Sequence, residues 1–287
     1  MTLAELPYFA DDALLPESLP TCSAIRSSAD VLVDQSTHRV VGVGIHFIVK
    51  YGKRLDLMEG QNMLYVQQAT SVSVPRVYAM FHESESSENF IVMERIKGKR
   101  LDREWSLLGQ REKRLIASKL KRDFEELRKL PSPGGFCSLG NRPLLDDIFW
   151  TDSESTSLTG PFATESAFNE ALIALYLHNK PSKYKADFYR RTLPSVVHES
   201  CALFTHGDFQ GKNVLLRRLT EKGSDAVDVS LIDWEFSGWY PSYWEFSKSL
   251  LACGRWENDW STFLDTILPN RWSQTAWLDM FLGELLI

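Results

Sequence analysis

Apolar and polar positions change rhythm along this chain: the first third alternates in short β-type runs, and the remainder recurs at helical spacing. Runs at 30–33, 39–43 and 45–50 read as strands, the last two joined at Gly44 as a hairpin. From Asp56 the spacing of Leu57, Leu64 and Tyr65 predicts a helix, which the 71–75 segment stops at Pro75. Residues 77–81 and 90–93 predict two more strands around a polar loop, 82–89. Beyond Met93, Leu115, Ile116, Leu120, Phe124, Leu127 and Leu130 mark one face of an amphipathic helix over 110–130. Further helices are predicted at 165–178 and 183–193, a hairpin at 214–216 and 229–232, and a Trp- and Leu-rich helical tail from Trp244. This order predicts an α+β, bilobal architecture: a β-rich lobe over 1–95, with 1–22 as a surface arm, and a helical lobe over 96–287.

Composition narrows the class without naming a function. With 44% hydrophobic and 24% charged residues, the 287-residue chain has the balance of a globular protein able to bury a large core. A net charge of −6 gives no basis for binding nucleic acid or an anionic membrane, and would suit a cationic small molecule. Cys22, Cys137, Cys201 and Cys253 are scattered, with neither disulfide nor zinc spacing. The first twenty residues lack a basic, apolar leader, and no run reaches membrane-spanning length, so a cytoplasmic enzyme is the expectation.

Chemistry concentrates in two segments. In THGDFQGKNVLL, Asp208 and Asn213 lie five residues apart on a loop that leads into a strand; in SLIDWEF, Asp233 ends the return strand. Phosphoryl transfer needs carboxylate and amide oxygens for Mg²⁺ and an acceptor for the attacking hydroxyl's proton. This spacing lets Asp208 face the hydroxyl while Asn213 and Asp233 turn to the metal. Turn formation would account for Asp208 and Asn213 alone, but not for Asp233 at the matching place on the hairpin.

The chain resembles the aminoglycoside phosphotransferase-type family of small-molecule kinases, in particular its fungal branch. The resemblance rests on FTHGDFQGKNVLL, LIDWEFSGWYPSYWEF, FIVKYG with EGQNMLYVQ, SVPRVYAMF, FIVMERIKGKRLDREW and the Gly160-Pro161-Phe162 triplet. It implies that Asp208 is the catalytic base and that Asn213 and Asp233 hold Mg²⁺. Lys50 would contact the ATP phosphates, paired with Glu59; the backbone of Glu94 and Ile96 would bond the adenine, with Met93 behind it. Asp56 to Glu59 also has capping-box form, which requires no kinase. His206 would brace the loop.

Three departures shape the expectation. Residues 34–38 replace a glycine-rich loop; Gly207 stands where a protein kinase has its phosphate-sensing Arg; and Trp234-Glu235, followed by a 239–241 turn, leave no room for an activation loop. A small-molecule hydroxyl is therefore the expected acceptor. A nucleotide-binding pseudokinase serving as an interaction module is the alternative. The acceptor site is expected within 101–193, where Asp146, Asp147, Asp152, Glu154 and Glu165 are available carboxylates.

Overall fold

The computed structural model describes residues 3–150, 156–180, 182–198, 200–218, 227–254 and 256–285. The strands are β1 Tyr8–Phe9, β2 Asp30–Asp34, β3 Arg39–Val43, β4 Phe47–Gly52, β5 Val77–Glu83, β6 Glu88–Glu94, β7 Lys99–Arg100, β8 Ala202–Thr205, β9 Val214–Arg218, β10 Val227–Leu231 and β11 Gly238–Pro241. The helices are α1 Cys22–Arg26, α2 Met58–Ala69, α3 Leu101–Glu104, α4 Gln110–Leu127, α5 Thr156–Thr159, α6 Glu165–Asn179, α7 Lys183–Val196, α8 Trp244–Leu251, α9 Trp260–Ile267 and α10 Trp272–Leu285.

The first six strands form one antiparallel sheet in the order β1-β5-β6-β4-β3-β2. Its two faces follow from strand alternation. Val41, Val49, Tyr51, Phe90 and Val92 pack on one face with Ile25 of α1. Met80, Ile91 and Met93 pack on the other with Met63, Leu64 and Val66 of α2. Lys50 pairs with Val40 and Ile91 in register, so it belongs to the α2 face. Gly44, at φ +59°, turns the β3–β4 hairpin where the sequence places it.

The C-terminal region is helical. Ile116, Leu120 and Phe124 of α4 join Phe263, Leu264 and Ile267 of α9 in the same core that α2 enters. A second core gathers Phe168 and Leu172 of α6, Tyr189 of α7, Trp244 of α8 and Phe281 of α10. Two small sheets, β10-β9-β7 and β11-β8, carry the loops between these layers. No helix among the described residues is long and apolar enough to cross a membrane.

Three local expectations change. The 82–89 loop shortens to a tight turn, because β5 runs on to Glu83 and β6 begins at Glu88. The expected 239–241 turn is instead strand β11, paired with β8 from Gly238↔Thr205 to Pro241↔Ala202. Residues 3–22, expected as a surface arm, are exposed over much of their length but bury Ala10 and supply edge strand β1, and Ala4 exchanges two hydrogen bonds with Gln61 of α2 (2.8 and 2.9 Å). The connection between the strands of the 214–232 hairpin, residues 219–226, and Asp152 and Glu154 fall outside the described residues.

Candidate active site

Lys50 is the only charged residue of β4, and the sheet register points it at α2. Its Nζ lies 2.8 Å from Glu59 Oε2, 3.2 Å from Asp233 Oδ1 and 3.0 Å from Glu235 Oε2. Asp56 Oδ1 accepts from the Met58 N–H at 2.9 Å, while Glu59 turns to Lys50, so no capping box forms. Burial alone would lower the Lys50 pKa; the Glu59, Asp233 and Glu235 carboxylates overcome it and hold the ammonium well above its ordinary value. Burial pushes Glu59 up, Lys50 pulls it down, and Asp233 and Glu235 push it up again. One ammonium thus faces three carboxylates, and the cluster has an excess of negative charge. Ligand oxygens of Glu59, Asp233 and Glu235 all lie within 4.8 Å of one another.

The loop after β8 carries the second half. Asp208 Oδ2 accepts from Asn213 Nδ2 at 2.8 Å and Lys212 Nζ at 3.0 Å, and Gln210 Nε2 donates to Oδ1. Asn213 Nδ2 also donates to the Asp208 carbonyl at 2.8 Å. With its amide nitrogen committed to Asp208, the Asn213 carbonyl oxygen is turned the other way. Asp233 and Glu235 bring carboxylate oxygens within 4.8 Å of each other, and with the Asn213 amide oxygen they are hard donors of the kind that suits Mg²⁺. Asp233 holds its carboxylate there from a left-handed backbone, φ +67°; the Lys50 ammonium outweighs burial and keeps its pKa below the ordinary value.

His206 is fully buried. Its Nδ1 accepts from the Asp208 N–H at 3.3 Å, which leaves the proton on Nε2 to donate to Ile232 O at 3.0 Å. The ring thereby ties the Asp208 loop to the strand end that carries Asp233. Gly207 sits at φ +89°, and a Cβ there would meet Phe236 O at 2.6 Å. A side chain is excluded on steric grounds, before any question of phosphate sensing.

At the end of β6, Met93 is buried in the core. The Glu94 N–H donates to Arg76 O at 2.8 Å, so only its carbonyl remains for an adenine edge, beside the Ile96 backbone. The site includes three residues that the sequence reading passed over. Glu235 stands out in the sequence only as a departure from a kinase motif. Asn62, one turn after Glu59 on α2, donates to the Trp234 carbonyl at 2.8 Å and so fixes the peptide between Asp233 and Glu235. Glu245 of α8 accepts from the His206 and Gly207 N–H groups at 2.6 and 3.3 Å. A lone Glu within the aromatic run YWEF was the available signal, since a carboxylate in such company is buried only with partners.

A cavity of about 380 Å³ opens beside the Asp208 loop, lined by Asp102, Trp105, Gly211, Lys212, Trp256 and Trp260 among others. Its lining comes from residues of 100–105, from 210–212 and from residues between Ser249 and Ser261. The carboxylates offered for the acceptor lie elsewhere. Asp146 binds Trp244 Nε1 at 2.9 Å and Lys248 at 3.0 Å, Asp147 binds Lys248 at 2.8 Å, and Glu165 accepts from the Ser200 N–H at 3.3 Å. Asp146 is fully buried in a packing role, whereas Asp147 is exposed and Glu165 lines a second cavity with Arg190 and His198.

No curated protein matches the sequence. Among solved structures, the chain is similar to the GDP complex of wild-type aminoglycoside 2'-phosphotransferase-IIIa (12% identity, TM-score 0.55, covering 89% of this chain and 80% of that one). It is similar to ADP-bound aminoglycoside phosphotransferase APH(2'')-Ib (15% identity, TM-score 0.55, 89% and 79%). It is also similar to the GDP and kanamycin complex of APH(2")-IIia (14% identity, TM-score 0.54, 90% and 81%). At such identities the likeness concerns the fold, which is protein-kinase-like: an antiparallel N-terminal sheet and a helical C-terminal region. The profile of the family described as "Phosphotransferase enzyme family" matches residues 53–280, a stretch that holds Glu59, Asp208, Asn213 and Asp233 and begins three residues after Lys50. With most of its length matched, the chain belongs to the phosphotransferase enzyme family.

Proposed function

We propose that this chain is an ATP- and Mg²⁺-dependent kinase that transfers the γ-phosphate to a hydroxyl of a small molecule. The observation that carries this reading is the placement of Asp208, whose carboxylate is held by Asn213 at 2.8 Å and adjoins the cavity through Lys212 at 3.0 Å. Residues 1–95 form the nucleotide lobe in this reading, and 96–287 the lobe for catalysis and acceptor binding.

Asp208 accepts the hydrogen bond of the attacking hydroxyl and takes its proton, a role worth roughly 10² to 10⁴ in rate. Lys50, oriented by Glu59, steadies the α- and β-phosphates. Asn213 and Asp233 would hold Mg²⁺, which supplies charge neutralisation on the phosphates when bound. The carbonyl of Glu94 and the backbone of Ile96 meet the adenine edge, over Met93. Three indoles in the cavity lining, Trp105, Trp256 and Trp260, suit an acceptor with a flat apolar face. The Asp102 carboxylate is already paired with Arg100 at 2.6 Å, which leaves the cavity less acidic than a polycation would want.

Coupled-assay measurement of ADP release across a panel of alcohols, amino sugars and aryl glycosides tests the proposal. Acceptor-dependent release by the wild type that disappears in Asp208→Asn, with nucleotide binding retained, is the expected result. Mg²⁺-dependent nucleotide binding without turnover on any acceptor would instead favour an interaction module.

A further inference from the structure

The chain has no glycine-rich loop to cover the phosphates of a nucleotide, and the β2–β3 turn over residues 35–38 stands in its place. The turn is closed by the Gln35 N–H donating to His38 O at 3.0 Å. Val40 is opposite Lys50 in the β3–β4 register, and Arg39 is opposite Tyr51. Alternation therefore puts His38 on the same face as Val40 and Lys50, the face that holds Glu59, while Val41, Val49 and Tyr51 fill the core on the other. His38 and Lys50 are diagonal neighbours, a relation that spans roughly 7–8 Å between backbones and lies within reach of long side chains.

Gly52 completes the arrangement. A Cβ there would lie 2.5 Å from the Thr37 carbonyl and 2.8 Å from His38 Cα, so only glycine lets the turn fold down over the end of β4. His38 is half-buried, and Thr37 Oγ1 lies 3.1 Å from its Nδ1. In the tautomer where the Thr37 hydroxyl donates to Nδ1, the ring proton is on Nε2. Burial first, and then the Lys50 ammonium, lower the imidazole pKa, with Asp233 opposing them. The ring thus feels the charges at both ends of the Lys50 cluster.

We infer that His38 is a phosphate-binding residue, its Nε2–H donating to the β- or γ-phosphate oxygens where a glycine-rich loop would present backbone amides. The inference rests on the nucleotide reading above and extends it to a side chain that neither the family match nor the motifs assign. It takes a nucleoside di- or triphosphate and adds little for a monophosphate, because the ring covers the far end of the chain of phosphates.

The test is isothermal calorimetry on the full chain with MgATP, MgGTP and AMP, comparing wild type, His38→Ala and His38→Gln. Expected is a loss of about tenfold in triphosphate affinity for His38→Ala, equivalent to about 1.4 kcal/mol. AMP affinity should stay unchanged, with part of the loss recovered by the amide donor of His38→Gln. Equal triphosphate affinity in wild type and His38→Ala overturns the inference, as does an AMP loss as large as the triphosphate loss. A wild type that binds none of the three overturns the nucleotide reading itself, and this inference with it.

Discussion

Lys50 Nζ and Glu59 Oε2 meet at 2.8 Å with both side chains buried, and this contact joins the central sheet to α2. Removing one partner is expected to cost more than the pair contributes, because the other is left charged and unpaired in the interior. Lys50→Ala strands three carboxylates and should lower stability by about 3–5 kcal/mol in urea unfolding, besides abolishing phosphoryl transfer. Glu59→Gln keeps the volume and should spare most of that stability while slowing turnover. A Lys50→Ala midpoint equal to wild type would show that the cluster relaxes into solvent.

Gly207→Ala places a Cβ 2.6 Å from Phe236 O on a backbone at φ +89°. Strain and overlap together should cost about 2–4 kcal/mol, and displacement of the adjoining Asp208 should depress kcat. Thermal denaturation with steady-state kinetics reads both. A fully active, equally stable variant would mean that the loop has slack which the packing does not show.

Glu245 gives the loop a pH response. Burial raises its pKa from the ordinary 4.5 to about 7, against the pull of the His206 and Gly207 N–H groups and Arg128, with Asp208 adding to the rise. A carboxyl with a raised folded value binds more protons in the native state than in the unfolded one. The stability it contributes is therefore present below pH 4.5 and lost as pH climbs to about 7. The full span is about 3 kcal/mol at 1.36 kcal/mol per unit. Urea titrations at pH 5 and pH 7.5 should show the wild type losing stability relative to Glu245→Gln across this window. A constant difference between the two would take Glu245 out of the pH response.

Trp256 is more than half exposed at the cavity rim, so its removal should leave the fold intact. Trp256→Ala should raise the acceptor KM several-fold with the ATP KM unchanged. A change confined to the ATP KM would place the acceptor elsewhere.

Much of this site could be read from local sequence, and the rest depends on contacts far apart in the chain. Asp208, Asn213 and Asp233 were legible because a loop and a hairpin fix their spacing within one stretch. Lys50 and Glu59 were reached through the family resemblance, supported by a lysine on a strand a short distance before the helix. Asn62 and Glu245 act on partners 172 and 39 residues away through backbone groups, which leave no pattern of their own. Strand β1 is two residues long and takes its existence from β5, so no periodicity announces it. The cavity combines 100–105 with 249–261, segments that only the packed fold brings together.

The two hydrogen bonds between Ala4 and Gln61 have a mechanical consequence. Gln61 stands two residues after Glu59 on the same helix, and β1 fastens the segment just beyond Ala4 to the sheet edge. Leu3 meanwhile rests over Gly140, in the C-terminal region. The N-terminal segment is thus a tether with three anchorage points, and tension applied to it is transmitted to the helix that orients Lys50. A bulky fusion or a proteolytic nick ahead of Tyr8 would be felt at the Lys50–Glu59 contact.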